Sequence, residues 1–273
     1  MGFVDFILNL AGLLMWLNWR AEMVDPVTRR KPATLVGTLR RADKRANWWL
    51  PSLIGGLLVL RALLYWQIGA AVHWVGNLDA GITTLFFRPD LFTRMLLYSA
   101  CSFGLTLGFF YLALLLLSLL EGPEPFRTFV RQQLGAPDRW ARLTRLFFPL
   151  VAVSLLWWAL SWLFTWLEIV PSPTAEWRRV VEAVLVGLGS YLAWKYVAIA
   201  LLGLHLLNNY IYFGKHPFWN FINAEAASLL APLRKLPLRI KRIDLTPLAG
   251  IAVVWGAAYG MRFVLELLYK KLV

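Results

Sequence analysis

The chain has 273 residues, of which 59% are apolar, a formal net charge of +13 and a mean hydropathy of +0.60. Globular domains average ~45–50% apolar residues, and a soluble chain of this length could not hide the excess while keeping long unbroken apolar runs. These values exclude an ordinary soluble domain and point to an all-α integral membrane protein. The 15 Trp residues fit that class, because an indole ring is wide and apolar with one donor and settles where hydrocarbon meets headgroups.

A hydrocarbon core of ~30 Å needs ~20 apolar residues in a helix. The first such run is Phe3–Trp19. No basic segment precedes it and Arg20 follows it, so it does not read as a cleavable signal. It is short and holds Asp5 and Asn9, which leaves a re-entrant or interfacial placement open. Five longer runs follow: Trp48–Ile68, Met95–Leu120, Leu146–Leu167, Val180–Leu207 and Leu245–Tyr269. About six transmembrane helices are therefore expected.

Basic residues mark the side of the membrane that the loops occupy. Loops 20–47, 121–145 and 213–244 together carry 19 Lys and Arg against 8 acidic residues, whereas the other side carries 6 against 7. The three basic loops are expected in the cytoplasm, at a bacterial inner membrane, with both termini outside if the first run spans. Because the charge follows sidedness rather than a single groove, nucleic acid is not an expected partner. Anionic lipid headgroups are, at ~1 kcal/mol per basic residue near the surface.

Each basic loop leads into the next span through a proline. Pro51, Pro149 and Pro247 stand 98 residues apart, and proline suits the first turn of a helix, where its missing N–H is not needed. The spacing divides the chain into three helical hairpins, 1–94, 95–179 and 180–273, as an internal repeat. Within the loops, Leu35, Val36 and Leu39, then Phe126, Phe129, Val130 and Leu134, then Phe218, Phe221, Ile222, Leu229 and Leu230 recur at helical spacing. Short amphipathic helices lying in the headgroup plane are expected there.

Charges inside spans are costly and mark candidate sites. Arg61 lies ten residues beyond Pro51 and Lys195 near the middle of a span, while Glu168, Glu182 and Glu266 lie toward the outer ends. Arg61 and Lys195 are expected to snorkel, to bond an interrupted helix, or to line an anion site. Arg262 and Glu266, four apart on one helix face, are expected to pair. Gly104 with Gly108 and Gly256 with Gly260, the latter extended by Ala252, are GxxxG pairs expected to pack the bundle internally. The lone Cys101 excludes an internal disulfide, and His73, His205 and His216 are too scattered for a metal site. No HExxH, GxSxG or paired intramembrane carboxylate is present, so neither catalysis nor a cofactor is expected.

The third loop is the most patterned. Asn209 is followed by Pro217-Phe218-Trp219 and Phe221-Ile222-Asn223. After these come Leu230-Ala231-Pro232-Leu233-Arg234-Lys235-Leu236-Pro237 and Ile243-Asp244-Leu245-Thr246-Pro247. In this order, between two spans, these residues resemble the YggT family of small bacterial and plastid membrane proteins. The likeness covers about residues 197–269 and continues upstream as a degenerate echo.

The resemblance implies a surface element built on Pro217, Phe218, Asn223, Pro232, Leu233, Arg234, Lys235, Pro237, Asp244 and Pro247. It also implies roles in cofactor attachment, division, nucleoid placement or osmotic tolerance, with no catalytic motif. From the residues alone, an Asp244 or Thr246 oxygen there could cap the sixth helix, and Arg234, Lys235 and Arg239 could grip lipid phosphate or pair with Asp244. Two functions remain open: a non-catalytic scaffold or assembly factor that recruits a membrane-protein partner and is able to oligomerise, or a channel or transporter in osmotic or ion homeostasis.

Overall fold

The computed structural model describes residues 2–24, 49–72, 74–120, 124, 126–171, 175–211, 216–233, 239–240 and 243–272. The basic residues of the first loop, with Leu35, Val36 and Leu39, lie outside the described residues. The described chain is almost entirely helical. Helices α1 (Gly2–Val24), α2 (Trp49–Ala71) and α3 (Phe92–Leu120) are followed by the short α4 (Phe126–Leu134). Next come α5 (Arg142–Trp166), α6 (Glu176–Gly189), α7 (Trp194–Tyr210), α8 (Pro217–Leu230) and α9 (Thr246–Leu272). A 3-10 turn, Ser190–Ala193, joins α6 to α7.

Six segments are long and apolar enough to cross a membrane: α1, α2, α3, α5, the continuous α6–α7 stretch Glu176–Tyr210, and α9. The first run, whose spanning was open, is a helix of 23 residues, about 35 Å at 1.5 Å per residue. Along these helices Leu60, Leu155, Val253 and Phe263 are more than half exposed, the surface a lipid-facing helix presents.

The chain forms two compact units, one of residues 1–78 and 86–108, the other of 79–85 and 109–273. In the first unit α1 packs on α2. Gly12 of α1 makes room for α3, since a Cβ at that position would lie 2.7 Å from the Phe103 ring.

Between α2 and α3 a two-stranded sheet forms from β1 (Gly76–Asp79) and β2 (Thr84–Phe87), an element absent from the expectations. Its turn holds Gly81 at φ 89°, a left-handed conformation that glycine adopts without Cβ strain. The Asp79 carboxylate accepts the Gly81 N–H at 2.8 Å to close the turn. Leu78, Leu85 and Phe87 are buried in period-2 alternation, which gives each strand an inner face.

In the second unit α5 packs chiefly on α6, and α7 packs on α9 and α8. The α5–α6 contact closes at Gly187, where a Cβ would stand 2.1 Å from Ser154 Oγ and 2.8 Å from the Leu150 carbonyl oxygen. Pro149 departs from its expected place. It is the eighth residue of α5 rather than part of the first turn, because the helix begins at Arg142. A proline inside a helix removes one N–H, so the Arg145 carbonyl loses its donor four residues on. One residue further along, the Leu146 carbonyl accepts a hydrogen bond from Tyr191 Oη at 2.5 Å. Pro51 and Pro247 do stand in the first turns of α2 and α9.

The short helices α4 and α8 form where the amphipathic pattern placed them, but their apolar faces do not lie free in a headgroup plane. Val130 and Leu134 of α4 pack with Leu114 and Leu115 of α3. Phe221 and Ile222 of α8 pack with Leu201 of α7, while Ala226 and Leu230 pack with Leu202 and with Ile251 and Val254 of α9. Neighbouring helices supply close-packed partners and so bury these faces inside the protein. His216 caps α8, its Nδ1 accepting the Phe218 N–H at 3.2 Å, and Pro217 opens the first turn.

Candidate functional site

The densest polar constellation lies inside the first unit, at apolar helices where each buried polar group needs a partner. Three helices each contribute two residues four apart, which places each pair on one helix face. The pairs are Asp5 and Asn9 of α1, Arg61 and Tyr65 of α2, and Tyr98 and Ser102 of α3.

Arg61 is 1% exposed. Its Nη2 donates to Asp5 Oδ1 at 2.5 Å and to Ser102 Oγ at 2.8 Å, and its Nη1 donates to Asn9 Oδ1 at 2.7 Å. Asp5 also accepts Tyr65 Oη at 2.6 Å and Tyr98 Oη at 3.0 Å. Asn9 closes the ring by donating Nδ2 to Ser102 Oγ at 3.0 Å.

The Arg61 Cζ lies 5.5 Å from the centroids of both the Tyr65 and the Tyr98 rings, so the cation also meets two π faces. Trp74 packs against both rings, at 5.0 Å from Tyr65 and 5.6 Å from Tyr98, and Phe87 packs on Tyr98 at 5.5 Å. Trp74, two residues before β1, and Phe87, the last residue of β2, thus close one side of the centre with aromatic rings.

This arrangement corrects the reading of Arg61 as a snorkelling residue or the wall of an anion site. Asp5 is a partner for it, because antiparallel packing brings the start of α1 to the body of α2. One cation and one carboxylate cancel, and Tyr65, Tyr98, Asn9 and Ser102 supply the other hydrogen bonds, while the buried Arg61 Nε–H is left without an acceptor. Chemically the centre is a closed, neutral knot that ties three helices. The carboxylate already accepts three hydrogen bonds and cannot act as a free base.

Lys195 lies in the second unit, two residues past the 3-10 turn, with Nζ 4.7 Å from the Tyr196 ring centroid. Beside it Trp194 Nε1 donates to the Leu112 carbonyl at 2.9 Å. Arg262 Nε and Glu266 Oε1 pair at 2.7 Å on α9. A Cβ placed at Gly104, Gly108, Gly256 or Gly260 would meet no atom within 4 Å among the described residues. The expectation that these glycines pack the bundle internally is therefore wrong. Approaches closer than 3.0 Å fall instead at Gly12, Gly187, Gly189 and Gly250.

Two further knots gather at the basic-loop ends of the second unit. Arg145 is buried, and its Nη1 donates to the Ser118 carbonyl at 2.8 Å and to Ser118 Oγ at 2.5 Å. The Ser118 hydroxyl donates to Asp138 Oδ1 at 2.7 Å, and Arg131 Nε lies 3.4 Å from Asp138 Oδ2. In the second knot Asn223 Oδ1 faces His205 Nδ1 at 2.8 Å and accepts Asn208 Nδ2 at 3.3 Å. Asn209 Nδ2 reaches His205 Nε2 at 3.3 Å, so a neutral Nδ1–H histidine satisfies both contacts.

Of the patterned third loop, Pro217, Phe218 and Asn223 lie on α8, with Phe218 5.9 Å from Phe126 of α4. Pro232 and Leu233 follow α8, and Leu233 packs in the cluster under Leu230. Gly250 of α9 makes room for that cluster, its Cβ position being 2.6 Å from Leu230 Cδ2. Pro247 is buried at the start of α9. Arg234, Lys235 and Pro237 lie outside the described residues, and so does the Asp244 side chain. The Asp244 backbone pairs with Arg239 in a two-residue ladder, β3 (Arg239–Ile240) with β4 (Ile243–Asp244).

Asp5, Asn9, Tyr65, Tyr98 and Ser102 were not singled out as site residues from the sequence. Their signal was present as polar pairs at i, i+4 in three otherwise apolar runs. Among the described residues no three His, Cys, Asp or Glu side chains gather as metal ligands. Comparison with family models, with curated proteins and with solved structures finds no match to this chain.

Proposed function

We propose that this multi-pass membrane protein is a non-catalytic scaffold or assembly factor whose basic face recruits a membrane-protein partner and anionic lipid. Arg61 carries the argument. A charge that serves transport faces a passage or exchanges partners, whereas this one is 1% exposed and held by Asp5, Asn9 and Ser102. The second and third basic loops carry folded helices, α4 and α8, anchored by their apolar faces. Such a surface is pre-organised for docking. The order of PLRKLP and IDLTP between two spans supports membership of the YggT family, and the Lys and Arg distribution supports a bacterial inner membrane with the basic loops in the cytoplasm.

The test is in-membrane cross-linking followed by recovery of partners, with Arg127→Glu and Lys235→Glu on the basic face. Loss of one specific partner supports recruitment. Unchanged recovery together with a flux across liposomes that contain the purified protein sinks the reading.

A channel or transporter is the second reading, favoured by one observation. Lys195 stands beside a 3-10 interruption inside a span, where interrupted helices expose backbone groups that can hold ions. A flux abolished by Lys195→Ala would select it.

A further inference from the structure

The corner between α4 and α5 holds more cations than its own acids engage. Asp138 turns inward, its side chain 18% exposed, where it accepts the Ser118 hydroxyl and faces Arg131 and Arg145. Glu124 is held by Thr128 and Arg131. Arg139 and Arg142 are exposed, and neither side chain makes a hydrogen bond or an ion pair among the described residues. The corner itself is fixed in place. Arg139 ends the 3-10 turn Ala136–Arg139, which follows Gly135 at φ 70°, and Trp140 meets the Phe148 ring of α5 edge-on at 5.1 Å. The span α5 begins at Arg142. Along it Leu143, Phe147, Val151 and Leu155 are 70%, 55%, 53% and 61% exposed. Residues four apart share a helix face, so these four form an apolar strip about 18 Å long. That is close to half of a ~30 Å hydrocarbon core, the depth of one leaflet. Trp140 precedes the strip and is partly exposed, and its Nε1–H has no acceptor among the described residues. An indole so placed donates into the headgroup layer while its ring meets acyl chains.

We infer that this corner seats one anionic phospholipid of the cytoplasmic leaflet, its phosphate held by Arg139 and Arg142 and one acyl chain lying along Leu143–Leu155. The inference rests on the basic face proposed above and gives its lipid a place. Guanidinium groups bind phosphate through charge-assisted hydrogen bonds. The seat joins two free cations to an apolar strip of one-leaflet length, and a phospholipid carries both complements in one molecule. A soluble phosphate or an acidic peptide complements the arginines but not the strip. A zwitterionic lipid complements the strip, but its own cation offsets the phosphate.

Phosphatidylglycerol with a photoreactive acyl chain tests it against the matching phosphatidylcholine. The full chain is reconstituted in vesicles with a trace of either probe, and the labelled residues are located by mass spectrometry. The wild-type chain is expected to take the anionic probe about fivefold or more over the zwitterionic one, with the label between Leu143 and Leu155. High salt is expected to narrow the difference. Arg139→Gln and Arg142→Gln are each expected to lower the preference about fivefold, and the double variant to abolish it, with the melting temperature unchanged because both side chains are exposed. Arg131→Gln is expected to keep most of the preference, since that cation already faces Asp138 and Glu124. Equal labelling by the two probes, labelling that falls elsewhere on the chain, or full competition by soluble glycerol phosphate overturns the inference. So does lipid labelling that is unchanged in the double variant while partner recovery is lost, which assigns the arginines to a protein. The lipid readout is separate from partner recovery. Equal labelling with a partner still recovered removes the lipid seat and leaves the scaffold, whereas selective labelling with no partner recovered leaves the seat and removes the scaffold.

Discussion

Arg61 Nη2 donates to Asp5 Oδ1 at 2.5 Å, a bond between residues 56 apart in sequence. It joins α1 to α2, and Ser102 of α3 shares the same guanidinium at 2.8 Å. Removing one member leaves the other charged and buried, which costs about 3–5 kcal/mol, whereas removing both can be nearly neutral. Asp5→Leu and Arg61→Met are each expected to lower the detergent melting temperature sharply. The double variant is expected to recover most of the loss, since Asn9 still bonds Ser102 at 3.0 Å. A double-mutant cycle read by thermal unfolding checks this, and additive losses would count against the coupling.

Gly187 sets how closely α5 and α6 approach. An added Cβ meets Ser154 Oγ at 2.1 Å and the backbone oxygen of Leu150 at 2.8 Å, and the second cannot rotate away. Gly187→Ala is expected to destabilise by roughly 1–3 kcal/mol or more. Ser154→Ala in the same chain relieves the hydroxyl clash but not the carbonyl one, so rescue is partial. Gly55→Ala, in a helix where nothing lies within 4 Å, is expected to be neutral or slightly stabilising.

Membrane helices are the most legible part of the sequence, because one helix of ~20 apolar residues satisfies its own backbone and needs no partner to be recognised. The expected spans agree with α1, α2, α3, α5, α6–α7 and α9 to within a few residues at most ends. The amphipathic periods of α4 and α8 were legible for the same local reason. What covers their apolar faces was not, since Phe221 clusters with Leu201 and stacks on Phe126 only through tertiary packing. Arg61 illustrates the same limit. Its cost is visible in the sequence, but Asp5 becomes its partner only when two helices run side by side. Pro149 misled because proline marks a helix start only statistically, and here the helix begins at Arg142, about two turns before it. The small sheet of β1 and β2 lies in a segment where four-residue strands leave too little periodic signal.

Glu124 gives a pH-dependent contribution at the start of α4. Its carboxylate accepts from the Thr128 hydroxyl and, at 3.1 Å, from the Thr128 N–H, with Arg131 at 3.8 Å. The Thr128 hydroxyl foremost, then its N–H and the nearby Arg131 and Arg127, hold this carboxyl below the ordinary glutamate value. A depressed folded pKa means that the contribution is complete above the unfolded value of about 4.3 and is lost as pH falls through the folded one. Amide exchange at Thr128, normalised for its intrinsic pH dependence, is expected to lose protection only below the ordinary glutamate value of about 4.3. Glu124→Gln is expected to flatten that profile. Protection that fades near neutral pH would assign the effect to another group.

Arg145 shows which polar contacts at the basic end of the second unit carry the fold. It is buried and binds both the carbonyl and the hydroxyl of Ser118, and that hydroxyl in turn donates to Asp138. Ser118→Ala removes one acceptor of the guanidinium and the donor to Asp138 but leaves the carbonyl, so a cost of about 1–2 kcal/mol is expected. Arg145→Met removes the cation from Asp138 at 3.7 Å and leaves the Ser118 carbonyl without this donor, and a larger cost is expected. Asp138→Asn keeps an acceptor for the Ser118 hydroxyl and loses only the charge, so it falls between the two. Thermal unfolding of the three variants in one detergent gives the order. If Ser118→Ala proves the most damaging, the hydroxyl rather than the arginine is the centre of this knot, and α3 rather than α5 positions it.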